Sequence, residues 1–283
     1  MKKKIAFFLV FSCSLLAGCS HLLTLQKSGA YHRSDERIDF SYTIDETRAK
    51  EIREYFTKNT GLDLEAINKK ESDMEKVLLI ADFISKNIPH ANQKSPIKKQ
   101  DAISLWEYHL NTENAFNCKF HSMMTCELLL SVGVVNNYVW CMPKSSTDPD
   151  CHVVNNVWIS ELHKWVMVDT DMRAYIVDKN NTPLSIQEIR ENLKSKNFTD
   201  LNIVKIAPMI QSPKDYLDYL AKDFYWFRKF QTIRFIGNGK LLDGHPDSKL
   251  VNLLPMGYSG FDLDDANINI ITNDDQEFWK VIK

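Results

Sequence analysis

The sequence predicts a mixed chain in which helices come first and a hairpin-built sheet follows. Apolar residues recur at helical spacing between about residues 45 and 130. From residue 137 the pattern changes to short strand-like runs. Two of these runs are joined only by the polar connection Ser160 to His163, which is hairpin spacing.

The chain opens with a targeting pattern. Lys2, Lys3 and Lys4 precede an apolar run from Ile5 to Leu16. The run is short for a membrane span, which needs about 20 residues. Leu16-Ala17-Gly18-Cys19 resembles a bacterial lipobox. The resemblance implies that residues 1–18 are a lipoprotein signal peptide and that Cys19 carries the lipid. Ser20 follows the acylated cysteine in place of Asp. By analogy with enterobacterial sorting, that favours the outer membrane of a two-membrane cell. A lipid on Cys19 would tether a soluble domain to the membrane of the cell envelope.

Residues 19–43 read as a polar tether with weak pattern. Asp45 to Thr57 is a charged helix that stops before Gly61. Glu71 to Lys86 carries Met74, Val77, Leu78, Ala81 and Ile84 on one face, and Pro89 follows its end. Asp101 to Leu110 is a shorter amphipathic helix. Asn117 is a favoured N-cap, which puts Cys118 at the first helical position of a run ending near Gly133. Asn137 to Met142, His152 to Ile159 and Lys164 to Asp169 are strands. Pro143 to Asp150 is a turn-rich loop. Beyond residue 200, Ser212-Pro213 opens a helix rich in aromatic residues, including Tyr216, Tyr219, Trp226 and Phe230. Further strands are expected at Thr232 to Ile236 and before Pro255, with a turn at Gly237-Asn238-Gly239. The layout expected is a domain over 44–200 and an extension over 201–283 packed on it.

Composition is ordinary for a folded protein, with 44% hydrophobic and 25% charged residues. Removal of the leader takes three lysines from 35 basic residues set against 37 acidic ones. No basic block points to nucleic acid. Asp264-Asp265 and Asp274-Asp275 lack EF-hand spacing and read as solvated turns. Nothing in the pattern implies a cofactor.

The chemistry gathers on an ordered trio of Cys118, His152 and Asp169. A thiol, an imidazole and a carboxylate that converge make a nucleophile, its base and the group that orients the base. A helix N-terminus offers free N–H groups and partial positive charge, which suit an anion. Cys126, mid-helix among leucines, reads instead as a packed small hydrophobe. If Ile159 pairs with Lys164, the hairpin sum places His152 opposite Asp171 and diagonal to Asp169. Either carboxylate is then within reach of the imidazole.

Alternatives attach to the same residues. His121, three residues after Cys118, is a sequence-local base without an obvious acid. His163 reads as a solvated loop residue. His90, His109 and His245 show no convergent partner. Cys141 and Cys151 flank one loop and are a possible disulfide in an oxidising compartment. A zinc module built on Cys118, His121, Cys151 and His152 is disfavoured by the absence of a C-x-x-C pair.

The segments around Cys118, Cys151-His152 and Lys164 to Asp169 resemble the bacterial transglutaminase-like domain, whose architecture is related to that of papain-like thiol enzymes. The specific pieces are H-V-V-N-x-V and W-x-x-x-D, and the likeness spans roughly residues 70 to 195. It implies an α+β fold with the cysteine helix packed on an antiparallel sheet. It also implies Cys118 as nucleophile, His152 as base and Asp169 as orienting acid. Relatives often have Asp-Pro-Thr where this chain has Asp169-Thr170-Asp171.

The function expected is thiol-dependent acyl transfer or amide hydrolysis on a peptide or protein amide, with a hydrolase favoured over a crosslinker. The Cys118 N–H would be one oxyanion donor, with Asn111 or Asn114 as a second. The alternative is a non-catalytic envelope peptide-binding lipoprotein that uses the same fold.

Overall fold

The computed structural model describes residues 20–195, 200–237, 240–241, 248–260 and 269–281. Residues 1–18, expected to be a signal peptide, and Cys19, Asn238-Gly239, His245 and Asp264-Asp265 lie outside the described residues. No described helix is long and apolar enough to cross a membrane.

The first half of the described chain is mostly helical. Strand β1 (Ser41–Ile44) leads into α1 (Glu46–Asn59), α2 (Leu64–Asn68), α3 (Asp73–Asn87), α4 (Ala102–Asn111) and α5 (Cys118–Ser131). Each of these helices begins at a side-chain cap. Asp45, Asp63, Ser72, Asp101 and Asn117 all accept a first-turn N–H. Gly133, at φ +80°, supplies the left-handed turn after α5. That helix is buried from His121 to Ser131, as expected of a central helix wrapped by other elements.

The sheet begins with β2 (Asn136–Met142), β3 (His152–Ile159), β4 (Lys164–Asp169) and β5 (Ala174–Val177). Ile159 pairs with Lys164, as the hairpin spacing predicts, and the register runs back to Asn155 opposite Val168. The connection from Ser160 to Leu162 is a 3-10 turn that closes on His163 in the left-handed region. Helix α6 (Ile186–Lys194) and strand β6 (Asn202–Lys205) follow.

The C-terminal part contributes α7 (Pro213–Asp223), β7 (Trp226–Phe230), β8 (Thr232–Ile236), β9 (Lys240–Leu241), β10 (Leu250–Leu253), β11 (Asn269–Thr272) and α8 (Asp275–Phe278). The main sheet has the order β11-β10-β7-β2-β3-β4-β5-β6. Its pairs are antiparallel except β10 with β11. The result is an α+β fold. A smaller sheet, β1-β8-β9, joins the N-terminal strand to the C-terminal region.

Two expectations change here. Residues 19–43 do not read as a tether where described: Leu25, Ile38, Phe40 and Tyr42 are core residues, and β1 pairs with β8. The aromatic run after Ser212 is not one helix. It divides into α7 and β7, and β7 enters the main sheet beside β2. The buried ammonium of Lys229 on β7 shows how closely the chain ends are joined. It lies over the rings of Phe40 at 3.9 Å and Phe278 at 4.5 Å, one ring from each end of the chain.

Candidate active site

Helix α5 is fixed to the sheet by polar contacts as well as by packing. Ser122 Oγ donates to the Val153 carbonyl at 2.8 Å, and Asn155 Nδ2 donates to the Ser122 carbonyl at 2.9 Å. Asn136 Nδ2 donates to the Cys126 carbonyl at 3.1 Å. These bonds set the height of the α5 N-terminus relative to the start of β3, where Cys118 and His152 stand.

Cys118 is half-buried, and its thiol is 3.8 Å from the carbonyl of Cys151. His152 is fully buried. Its Nε2 lies 2.5 Å from Asp169 Oδ2. The carboxylate can only accept there, so Nε2 carries a hydrogen in either ring state and Nδ1 is the nitrogen that takes or yields the second proton. Nδ1 has no hydrogen-bond partner in the protein. A His152 ring nitrogen, the Cys118 sulfur and an Asp171 carboxylate oxygen lie within 4.8 Å of one another. The thiol is therefore close to the imidazole, while its hydrogen is turned towards Cys151. Burial disfavours the charged His152 ring. The charge and hydrogen bond of Asp169, together with Cys118, outweigh that penalty and hold the ring well above the ordinary histidine range.

Asp169 is fully buried and well supplied with donors. Besides His152, Oδ2 accepts from the Tyr216 hydroxyl at 2.8 Å, and Oδ1 accepts from the Met172 N–H at 2.9 Å. Tyr216 belongs to α7, so the C-terminal region reaches into the site. Tyr219, one turn later, places its ring 5.1 Å from that of His152.

The segment after Asp169 is held by threonine chemistry. Thr170 Oγ1 is 3.1 Å from Thr125 Oγ1 on α5, and its carbonyl accepts from Ser85 Oγ at 2.9 Å. These bonds restrain a backbone that has no proline at 170. The chain then turns, with Arg173 in the left-handed region at φ 66°.

That turn decides between the two carboxylates that the hairpin spacing left open. Asp169 remains on the strand and takes His152. Asp171 leaves the strand line, and its carboxylate meets His90 Nδ1 at 2.8 Å and His121 Nδ1 at 3.0 Å. Burial works against the Asp171 charge, but its bonds to His121 and His90 hold the carboxyl well below the usual range. His121 is thus committed elsewhere, with Nε2 also 3.1 Å from the Ile88 carbonyl. His90, for which spacing showed no partner, has one.

Other expectations are corrected. Cys141 and Cys151 are free thiols. The β2–β3 register sets Cys141 opposite His152, not Cys151, so the geometry for a bridge across adjacent strands is missing. Burial pushes the Cys151 thiol up to about 11. Among the described residues, Cys118, His121, Cys151 and His152 do not form one ligand group. Asn111 and Asn114 line a separate hollow with His109 and Glu113, so neither is placed to be an oxyanion donor.

Cys118 opens into a cleft of about 630 Å³, whose lining includes His90, Lys119, Trp140, Asp150, Gln211 and Tyr219.

Residues 60–170 match the model of the transglutaminase-like superfamily. The matched segment carries Cys118, His152 and Asp169. No curated protein matches the chain. Among solved structures, it is similar to a protein from Cytophaga hutchinsonii described as a candidate cysteine protease, at 17% identity and a TM-score of 0.33. That likeness covers 56% of this chain and 47% of the other, so this chain spans about half the length of that protein.

Proposed function

We propose that the protein is a cysteine-nucleophile enzyme that hydrolyses amide bonds of peptides or proteins. The observation that carries this reading is the unpartnered Nδ1 of a buried, Asp169-bound His152 beside a half-buried thiol at a helix mouth. A rotation of the Cys118 side chain away from the Cys151 carbonyl brings the thiol hydrogen to Nδ1.

In the reaction, Nδ1 takes the thiol proton and the thiolate attacks the amide carbonyl. The Phe120 N–H is taken by the Asn117 cap, but the N–H groups of Cys118 and Lys119, at the first two positions of α5, have no carbonyl within the helix and can donate to the oxyanion. His152 returns its proton to the departing amine. A water molecule then gives up a proton to His152 and cleaves the thioester, which restores the thiol. An amine in place of water would give crosslinking. A binding-only role would leave the His152–Asp169 couple without a task.

The lipobox-like Leu16-Ala17-Gly18-Cys19 supports placement in the cell envelope. In this reading Cys19 carries the lipid anchor, on the outer membrane in a two-membrane cell. No cofactor or nucleic acid is required.

The test uses the full chain in detergent with casein and a fluorescent alkylamine. New amino termini or released ammonia, with no amine incorporated, support a hydrolase. Both signals should disappear in Cys118→Ala. Amine incorporation as the main product would overturn the hydrolase assignment, and activity retained in Cys118→Ala would overturn the nucleophile.

A further inference from the structure

The cleft holds charge that the acyl-transfer steps do not use. His90 lines it beside Cys118. The His90 ring is fixed, since Nδ1 lies 2.8 Å and 3.0 Å from the two oxygens of Asp171. Asp171 is itself fully buried and braced from behind by His121. With Nδ1 committed, Nε2 is the edge that His90 can offer a ligand, and the side chain is 37% exposed.

The other charges around the cleft are readily assigned. Asp150 on the wall is bound by Lys222 at 2.5 Å, and the same ammonium lies 3.4 Å from Asp223 and 3.7 Å from Asp148. Lys119 meets the Gln100 side-chain oxygen at 3.3 Å and the Phe120 ring at 5.2 Å, not a carboxylate. His152 and Asp169 act on His90 from across the site, with opposite signs. Asp150 is therefore held in that cluster, whereas Lys119 and a protonated His90 line the substrate space beside Cys118.

We propose that the cleft selects amides that carry a carboxylate next to the scissile bond, held by His90 and Lys119. This names the substrate class for the site proposed above and rests on that reading. The hydrogen bond from Asp171 raises His90 above its ordinary value, against the opposing effects of burial and His152. The ring therefore keeps its proton to higher pH than a free histidine would. A second imidazole–carboxylate couple would then act on substrate charge, not on the thiol.

The experiment compares alkylation of Cys118 by iodoacetate and by iodoacetamide, in the full chain in detergent at low salt. Both reagents attack the same thiolate, so changes in its ionisation cancel in the rate ratio. A nearby cation favours only the anionic reagent. The ratio should exceed that of 2-mercaptoethanol. It should fall about threefold to fivefold in His90→Gln, which keeps a donor for Asp171, and in Lys119→Gln, which alters only the cleft wall. In wild type the ratio should decline as pH rises through the His90 titration, and that step should be missing in His90→Gln. Fast labelling with a ratio unchanged in both variants would overturn this inference alone. Slow labelling by both reagents would overturn the nucleophile assignment and this inference with it.

Discussion

At its N-terminus, α5 presents Cys118 to a cleft beside an imidazole nitrogen that has no protein partner. Further along, the same helix buries Glu127 in a closed ionic network. Arg48 on α1 meets Glu127 at 2.7 Å, Asp101 at 2.8 Å and Glu51 at 2.8 Å. Glu127 also accepts from the Ala102 N–H at the start of α4. Charges on three elements are thus satisfied by one another, and the helix bundle is locked around them. An unpartnered atom does not by itself mark a site, because the buried side chains of Asn137 and Asn156 also lack partners. What sets the cleft end apart is a base next to a thiol, held there by a carboxylate that Tyr216 and Met172 fix in turn.

Substitutions at the two ends should separate stability from reactivity. Arg48→Ala leaves buried carboxylates unpaired and should cost about 3–5 kcal/mol in urea unfolding. Alkylation of Cys118 per folded molecule should hardly change. If that rate falls with stability, the two ends are not independent.

Tyr216→Phe should be milder. It removes one of three donors to Asp169, a hydrogen bond to a charged group worth about 1.5–3 kcal/mol. It should also slow Cys118 alkylation, because the His152 orientation loosens. An unchanged rate would show that His152 and Met172 position the carboxylate unaided.

The acid limb of stability tests Asp171. Its folded carboxyl titrates below its unfolded value. Its contribution is therefore present above about pH 4, the ordinary carboxylate value, and is lost as pH falls towards the folded value. Thermal melting of Asp171→Asn should show a shallower fall in acid than wild type. A parallel curve would contradict the pairing with His90 and His121. Smaller still, Thr170→Val removes one neutral side-chain bond to Thr125 and should cost about 1 kcal/mol.

Local features were legible in the sequence, and long-range ones were not. Asn117 announced the α5 cap and therefore the place of Cys118. The Ser160 to His163 connection fixed the β3–β4 register, which put a carboxylate within reach of His152. Choosing Asp169 over Asp171 required the turn at Thr170 to Arg173, which pattern does not reveal. Tyr216 lies 47 residues from its partner Asp169, and His90 lies 81 from Asp171. No periodicity links such pairs. The run from Tyr216 to Phe230 is aromatic throughout, so its change from helix to strand left little trace. β7 is a strand because β2 and β10 flank it. Glu127 was hidden for a similar reason: its partner Arg48 belongs to another helix.

The most direct test is peptide mapping after a limiting dose of iodoacetamide at neutral pH, in wild type and in His152→Ala. The assignment requires the label on Cys118 ahead of Cys126, Cys141 and Cys151. It also requires labelling to be at least about a hundredfold slower in His152→Ala, the lower end of what a lost base costs. Equal rates in the two proteins, or Cys151 as the labelled residue, would contradict it.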